Sequence, residues 1–141
     1  MGSVDSRHFF MAMIPPTATK QEAQVTVGKD GKPHWYPSPQ WARAEDALRA
    51  NLERFRPDEP ITEGGVVLSV EWCFPQDGHA DGEPYLKKPD TDNLDKGLKD
   101  VMTDLGWWDD DARVFGESIV KLHSRIPGIR IDIEEVEFAC D

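Results

Sequence analysis

Residues 87–114 read KKPDTDNLDKGLKDVMTDLGWWDDDARV. Leu94, Leu98, Val101, Met102 and Leu105 recur at spacings of three and four, which puts them along one face of a helix. Asp92, Lys96 and Lys99 fall on the opposite side, Asp92 and Lys96 as neighbours one turn apart. Asp92 or Asn93 can cap the N-terminus by accepting from free backbone N–H groups. Gly106 sits where a left-handed residue is favoured past the C-terminus. Asp90 and Asp92 therefore stand at one end of the helix, and Asp109, Asp110 and Asp111 follow the other. A straight run would hold the two groups apart. We read the chain as turning back, so that the carboxylates converge on a metal ion.

Carboxylate oxygens suit hard cations such as magnesium and manganese. The two side chains of an Asp-x-Asp pair face one ion only if the backbone bends between them, and Thr91, just after Pro89, lies where a bend fits. A lysine beside such a site stabilises a phosphate and the charge developing on it. Metal, carboxylates and lysine together recur in phosphodiester hydrolysis. Each piece also has a plainer reading. Asp90 and Asp92 read equally well as helix caps, and the triple aspartate taken alone reads better as a solvated acidic turn. A calcium-binding loop is excluded, because after Asp90 and Asp92 the next ligand position holds Leu94 and the glycine position holds Asp95.

The run Lys88-Pro89-Asp90-Thr91-Asp92-Asn93-Leu94, followed by Lys96, Asp100, Gly106 and Asp110-Asp111, resembles the RusA family of Holliday-junction resolvases, endodeoxyribonucleases often encoded by prophages. The family pattern is an Asp-x-Asp-Asn-Leu-x-Lys helix, a glycine–aromatic break and an aspartate pair ahead of a strand. A lone Asp-x-Asp is weak; the combination is specific. The resemblance implies catalytic roles for Asp90, Asp92, Lys96 and Asp111, with metal held by Asp90, Asp92 and Asp111. Asp110 matches the first member of the aspartate pair and is a further candidate ligand. Asp109 is extra and leaves a one-residue ambiguity as to which of the three binds metal; alignment through Ala112 and Val114 favours Asp111. Also implied are Mg2+ as cofactor with Mn2+ as a substitute, a four-way DNA junction as substrate, and a homodimer, since two symmetric cuts need two symmetric sites.

The 141 residues suit one domain spanning 1–141 with a modest core. No apolar run is long enough for a transmembrane helix, and no export signal opens the chain. Two cysteines, Cys73 and Cys140, make no disulfide framework, and Cys73 reads as a buried free thiol in a strand, which fits a reducing cytoplasm. Net charge is −11, an argument against unaided nucleic-acid binding. Its distribution matters: residues 1–60 carry eight bases and eight acids, whereas residues 84–113 carry eight acids against five bases. Part of the excess thus sits at the proposed metal site, where a divalent cation offsets it.

Along the chain, residues 1–8 read as a loose leader and residues 9–14 as a short strand ended by Pro15-Pro16. Residues 17–37 hold Lys20, Lys29, Lys32, His34, Trp35 and Tyr36. They read either as a surface loop, with Val25 and Val27 in a short hairpin, or as a DNA-contacting loop in which bases stack on rings. Lys87, Lys88 and Lys99 complete the expected DNA contacts. Ser38 and Pro39 start a helix whose stripe is Trp41, Ala44, Leu48, Leu52 and Phe55. Val66, Leu68, Val70, Trp72 and Phe74 alternate as the core face of a strand. Residues 75–84 read as a polar loop that holds His79, with Asp77, Asp81 and Glu83 solvated rather than ligands. Trp107 and Trp108 flank the site, at least one of them packed on the helix. Residues 114–122 and a strand alternating through Ile129, Ile131 and Ile133 are expected to pair as a hairpin around a Pro-Gly turn. The fold class is α+β: a mixed or antiparallel sheet of about four strands with two main helices on one face. Two other functions fit the same chain. One is a flap or branched-DNA nuclease of the same chemistry; the other is a non-enzymatic acidic prophage binding protein, for which the charge is the best argument.

Overall fold

The computed structural model describes residues 2–19 and 24–138. Lys20 and Cys140 lie outside them. Eight elements follow in order: β1 (Gly2–Met11), β2 (Gln24–Val27), β3 (Pro33–Tyr36), α1 (Pro39–Phe55), β4 (Gly65–Pro75), α2 (Thr91–Asp104), β5 (Val114–Ser124) and β6 (Gly128–Phe138). Four strands make a mixed sheet in the order β1-β6-β4-β5, antiparallel except between β4 and β5; β2 and β3 form a separate hairpin. The architecture is α+β with two main helices, as the periodicities predict.

Strand β4 holds the centre because its apolar residues continue through the length of the sheet. Leu68 lies opposite Ile133, Val70 opposite Ile131 and Trp72 opposite Ile129, so two alternating rows interlock on one face. All six are buried. The helices lay their stripes on that face: Trp41, Leu48 and Leu52 from α1, and Leu94, Leu98, Val101 and Met102 from α2, all in one core cluster. Ser38 caps α1, its Oγ accepting from the Trp41 N–H at 3.1 Å. Gly97 lets the helices approach closely, since a Cβ there would lie 2.7 Å from the Trp41 ring. Cys73 is buried, which pushes its thiol up from the ordinary range.

Three local expectations are corrected. β5 and β6 do not form a hairpin, because β4 lies between them and pairs with both. The apolar β4 takes the central position, while β5, exposed along much of its length, takes the edge. Three residues, Arg125 to Pro127, separate the strands; that link is long enough to step over one strand spaced about 4.8 Å from its neighbour. Residues 2–8 are not a loose leader but the first part of β1, paired with the acidic half of β6. Their polarity hid them, because this stretch runs along an edge that covers little core. Finally, the N-cap position of α2 is Asp90, not Asp92 or Asn93, and the Asp90 side chain bonds none of the helix N–H groups.

The parallel pairing of β4 and β5 requires a crossover, and α2 is that crossover. At its end Gly106 takes φ +82°, and the two tryptophans that follow are buried. Trp107 stacks on Phe9 with centroids 5.3 Å apart, and Trp108 donates Nε1–H to Thr103 Oγ1 at 2.7 Å. Backbone bonds from Ile61 N to Trp107 O (3.0 Å) and from Asp109 N to Ile61 O (3.1 Å) fix the turn. The chain is thereby sent back toward the start of α2.

Candidate active site and metal centre

The return of the chain creates a cleft of about 370 Å³ between the first turns of α2, the short 3-10 turn Asp111–Arg113 and β5. Asp92, Asp95, Lys96, Lys99 and Asp100 enter from α2, Asp111 from the turn and Glu117 from β5, with Thr91 and Ile119 completing the wall. Asp92 and Lys96, one helical turn apart, share this wall with Asp111, which is 19 positions beyond Asp92 in the chain.

The structure gives the three consecutive aspartates different environments. Asp109 is ion-paired with Arg113, whose guanidinium holds the carboxyl below its usual range. Asp110 caps the 3-10 turn, Oδ1 accepting from the Ala112 N–H at 2.8 Å. Asp111 lines the cleft. Asp109 and Asp110 instead border a neighbouring hollow of about 600 Å³ against Gly64 and Phe115, where both carboxylates are already engaged. Asp90 stands one residue ahead of the cleft wall at Thr91, exposed.

The deepest acid is one that the sequence did not single out. Asp95 is 4% exposed, and burial, then a hydrogen bond with Glu117, pushes its carboxyl up to about 7. The same bond, from the other side, lowers Glu117. When the pair holds one proton, Asp95 is the member that carries it. Lys99 lies 3.3 Å from each carboxylate; burial works against its charge, but the two acids outweigh it and raise its pKa. Asp95 Oδ1 is buried and meets no donor. A shared proton satisfies such an atom, and so does a cation. A wall of carboxylate oxygens, with no thiol or imidazole among its lining groups, fits a hard divalent ion such as Mg2+ or Mn2+. Local spacing contained a signal for Asp95, three residues after Asp92 and four before Lys99. For Glu117 there was none, since only the register of β5 brings it in.

The expected DNA-contacting lysines separate. Lys29 and Lys32 are exposed on the β2–β3 hairpin, next to exposed Trp35 and Tyr36. Lys87 and Lys88 are exposed on the segment leading into α2. Lys99 is different: its side chain is 22% exposed and serves the two carboxylates of the cleft. Lys121, which drew no attention in the sequence, donates from Nζ to the carbonyls of Lys87 and Pro89, both at 2.8 Å, and so staples that segment to β5.

A cleft that gathers acids and lysines has the groups that metal-assisted hydrolysis of a phosphate ester uses. The family model described as endodeoxyribonuclease RusA matches residues 13–134 of this chain. The chain belongs to the RusA endodeoxyribonuclease family, nucleases that act on branched DNA junctions and are typically metal-dependent. No protein of curated function matches it. No helix among the described residues is long and apolar enough to cross a membrane.

Proposed function

We propose that this protein is a Mg2+-dependent, cytoplasmic endodeoxyribonuclease that resolves four-way junctions by paired symmetric nicks during recombination and repair of DNA, acting as a homodimer. The observation that carries this reading is the meeting of Asp92, Lys96 and Asp111 in one acidic cleft, the residues that the resemblance to the family's Asp-x-Asp, lysine and aspartate-pair pattern singles out. Asp92 and Asp111 would hold a divalent cation, with Asp90, just ahead of the cleft, and Asp110, whose carboxylate would have to leave the Ala112 N–H, as further ligands; the ion would lower the pKa of a coordinated water and offset charge on phosphoryl oxygens. Lys96 places its positive charge where negative charge grows on the scissile phosphate. The proton shared by Asp95 and Glu117, and the ammonium of Lys99 between them, reduce the cleft's negative charge and ease the approach of a phosphodiester. Lys29, Lys32, Lys87 and Lys88 meet backbone phosphates, and Trp35 and Tyr36 offer ring faces to bases unstacked at a branch point.

The test is cleavage of a labelled synthetic four-way junction, with linear duplex and flap substrates alongside, in magnesium, in manganese and in EDTA. Paired nicks on the junction alone, lost in EDTA, are the expected result. Equal cutting of flaps would keep the metal chemistry and discard the junction specificity. Absence of cleavage on every substrate in both metals would overturn the enzymatic reading in favour of an acidic binding protein.

A further inference from the structure

Outside the acidic cleft, the loop 76–84 carries a second group of side chains with ligand chemistry. His79, Glu83 and His123 place one ligand atom each within 4.8 Å of one another. His123, on β5, is 2% exposed, and its Nδ1 lies 2.9 Å from the carbonyl of Pro75. A carbonyl only accepts, so Nδ1 carries a proton, and in the neutral ring the lone pair is on Nε2. That is the arrangement in which an outer carbonyl orients a metal-ligating imidazole. The Nδ1 of His79 is in contact with Glu83 Oε2, and its ring stacks on His123 at 4.0 Å between centroids. The backbone already joins the two sides: Gly82 N donates to His123 O at 2.7 Å, and His123 N to Glu83 O at 2.8 Å.

We propose that His79, Glu83 and His123 form a second metal site, taking a borderline transition cation of the Zn2+ class, that clamps the loop 76–84 to the end of β5. Two imidazoles and one carboxylate favour such an ion over magnesium, which prefers an all-oxygen cleft. Ligand atoms in a tetrahedral zinc site stand about 3.3 Å apart, closer than the present spread. The adjustment falls on His79 and Glu83, whose side chains are 40% and 44% exposed, and not on the buried His123. The stack must open, because parallel rings send their lone pairs side by side and not to one point. A surface His–Glu ion pair alone would leave unexplained why a second, buried histidine with an oriented Nε2 stands against it. The clamp bears on the acidic cleft through the chain: from Glu83 the backbone continues to Tyr85, stacked on Phe74 at 3.8 Å, and to the Lys87 and Pro89 carbonyls held by Lys121, just ahead of Asp90.

The experiment is calorimetric titration of the intact protein with ZnCl2 in excess Mg2+, repeated for His79→Ala, Glu83→Gln and Asp92→Asn, with visible absorption of the Co2+-loaded protein as an independent readout. Expected are one zinc per chain, affinity at least tenfold weaker in His79→Ala and in Glu83→Gln, undiminished affinity in Asp92→Asn, and intense tetrahedral cobalt bands that vanish in His79→Ala. Both substituted side chains at the site are exposed, so unchanged thermal melting without zinc checks that the fold survives. No saturable zinc uptake by the wild type, or undiminished uptake by His79→Ala, would overturn the proposal. Zinc binding abolished by Asp92→Asn would also overturn it, by placing the ion in the acidic cleft. Junction cleavage in magnesium is read separately, so this site and the proposed nuclease activity stand or fall independently.

Discussion

Burial beside Glu117 raises the Asp95 carboxyl from an ordinary 3.8 to about 7. A carboxyl raised on folding adds stability that is fully present below its unfolded value and is lost as pH rises through its folded one. Wild-type protein is therefore expected to lose stability between about pH 4 and pH 8 relative to Asp95→Asn, whose amide donates to Glu117 without titrating. Thermal melting of both proteins across that range checks this, and parallel curves would sink the shared proton. Asp92→Asn is expected to leave the melting temperature nearly unchanged and to cut junction cleavage by more than about 100-fold, since even outer partners of metal ligands typically cost 10–100-fold. Lys96→Met is expected to lower kcat by about 10²–10³, the usual cost of removing a group that stabilises transition-state charge. Single-turnover cleavage measures both, and wild-type rates in either variant would remove that residue from the site.

At the scale of elements, the helix pair sets how accurately α2 carries its acids. Gly97 faces Trp41 of α1, which is 3% exposed and has nowhere to move. Gly97→Ala improves helix propensity by about 1 kcal/mol, but the new methyl falls on the indole, and overpacking costs about 1–3 kcal/mol. The net expectation is a destabilised protein, by about 1 kcal/mol, with cleavage reduced as well because α2 is pushed off its partner. Denaturant unfolding would show it; a more stable variant would mean that the helices have room to part. Arg49 reinforces the same contact, its guanidinium bonding Asp104 at the far end of α2 at 2.8 Å.

For the whole molecule, a net charge of −11 means that DNA must be held by a few well-placed cations. Lys29, Lys32, Lys87 and Lys88 are the exposed candidates. Replacing Lys29 and Lys32 together by alanine is expected to flatten the log–log dependence of junction affinity on salt by about two per protomer, close to 0.9 for each lost phosphate contact. An unchanged slope would exclude the hairpin from the interface. Two symmetric cuts also require two sites, so sedimentation equilibrium is expected to give a mass near twice 15.9 kDa; a monomer with full resolvase activity would contradict that.

The sequence by itself determined what depends on near neighbours. The stripe from Leu94 to Met102, the Ser38 cap, the glycine stop at Gly106, the alternation of β4 and the Asp-x-Asp-Asn-Leu-x-Lys run are written in spacings of two, three and four residues, and periodic burial follows from them. The family was legible for the same reason, because its pattern is almost contiguous. Only the tertiary structure decided which strands are neighbours, since β4 separates β5 from β6 through hydrogen bonds between distant segments that no local spacing encodes. It also gave the three consecutive aspartates three different surroundings, each set by a partner fixed in the folded chain: Arg113, the Ala112 N–H and the cleft. Glu117 and His123 reach Asp95 and His79 through the register of β5 alone. A residue's chemistry is carried in the chain, but the company it keeps across the fold depends on which surfaces can be buried together.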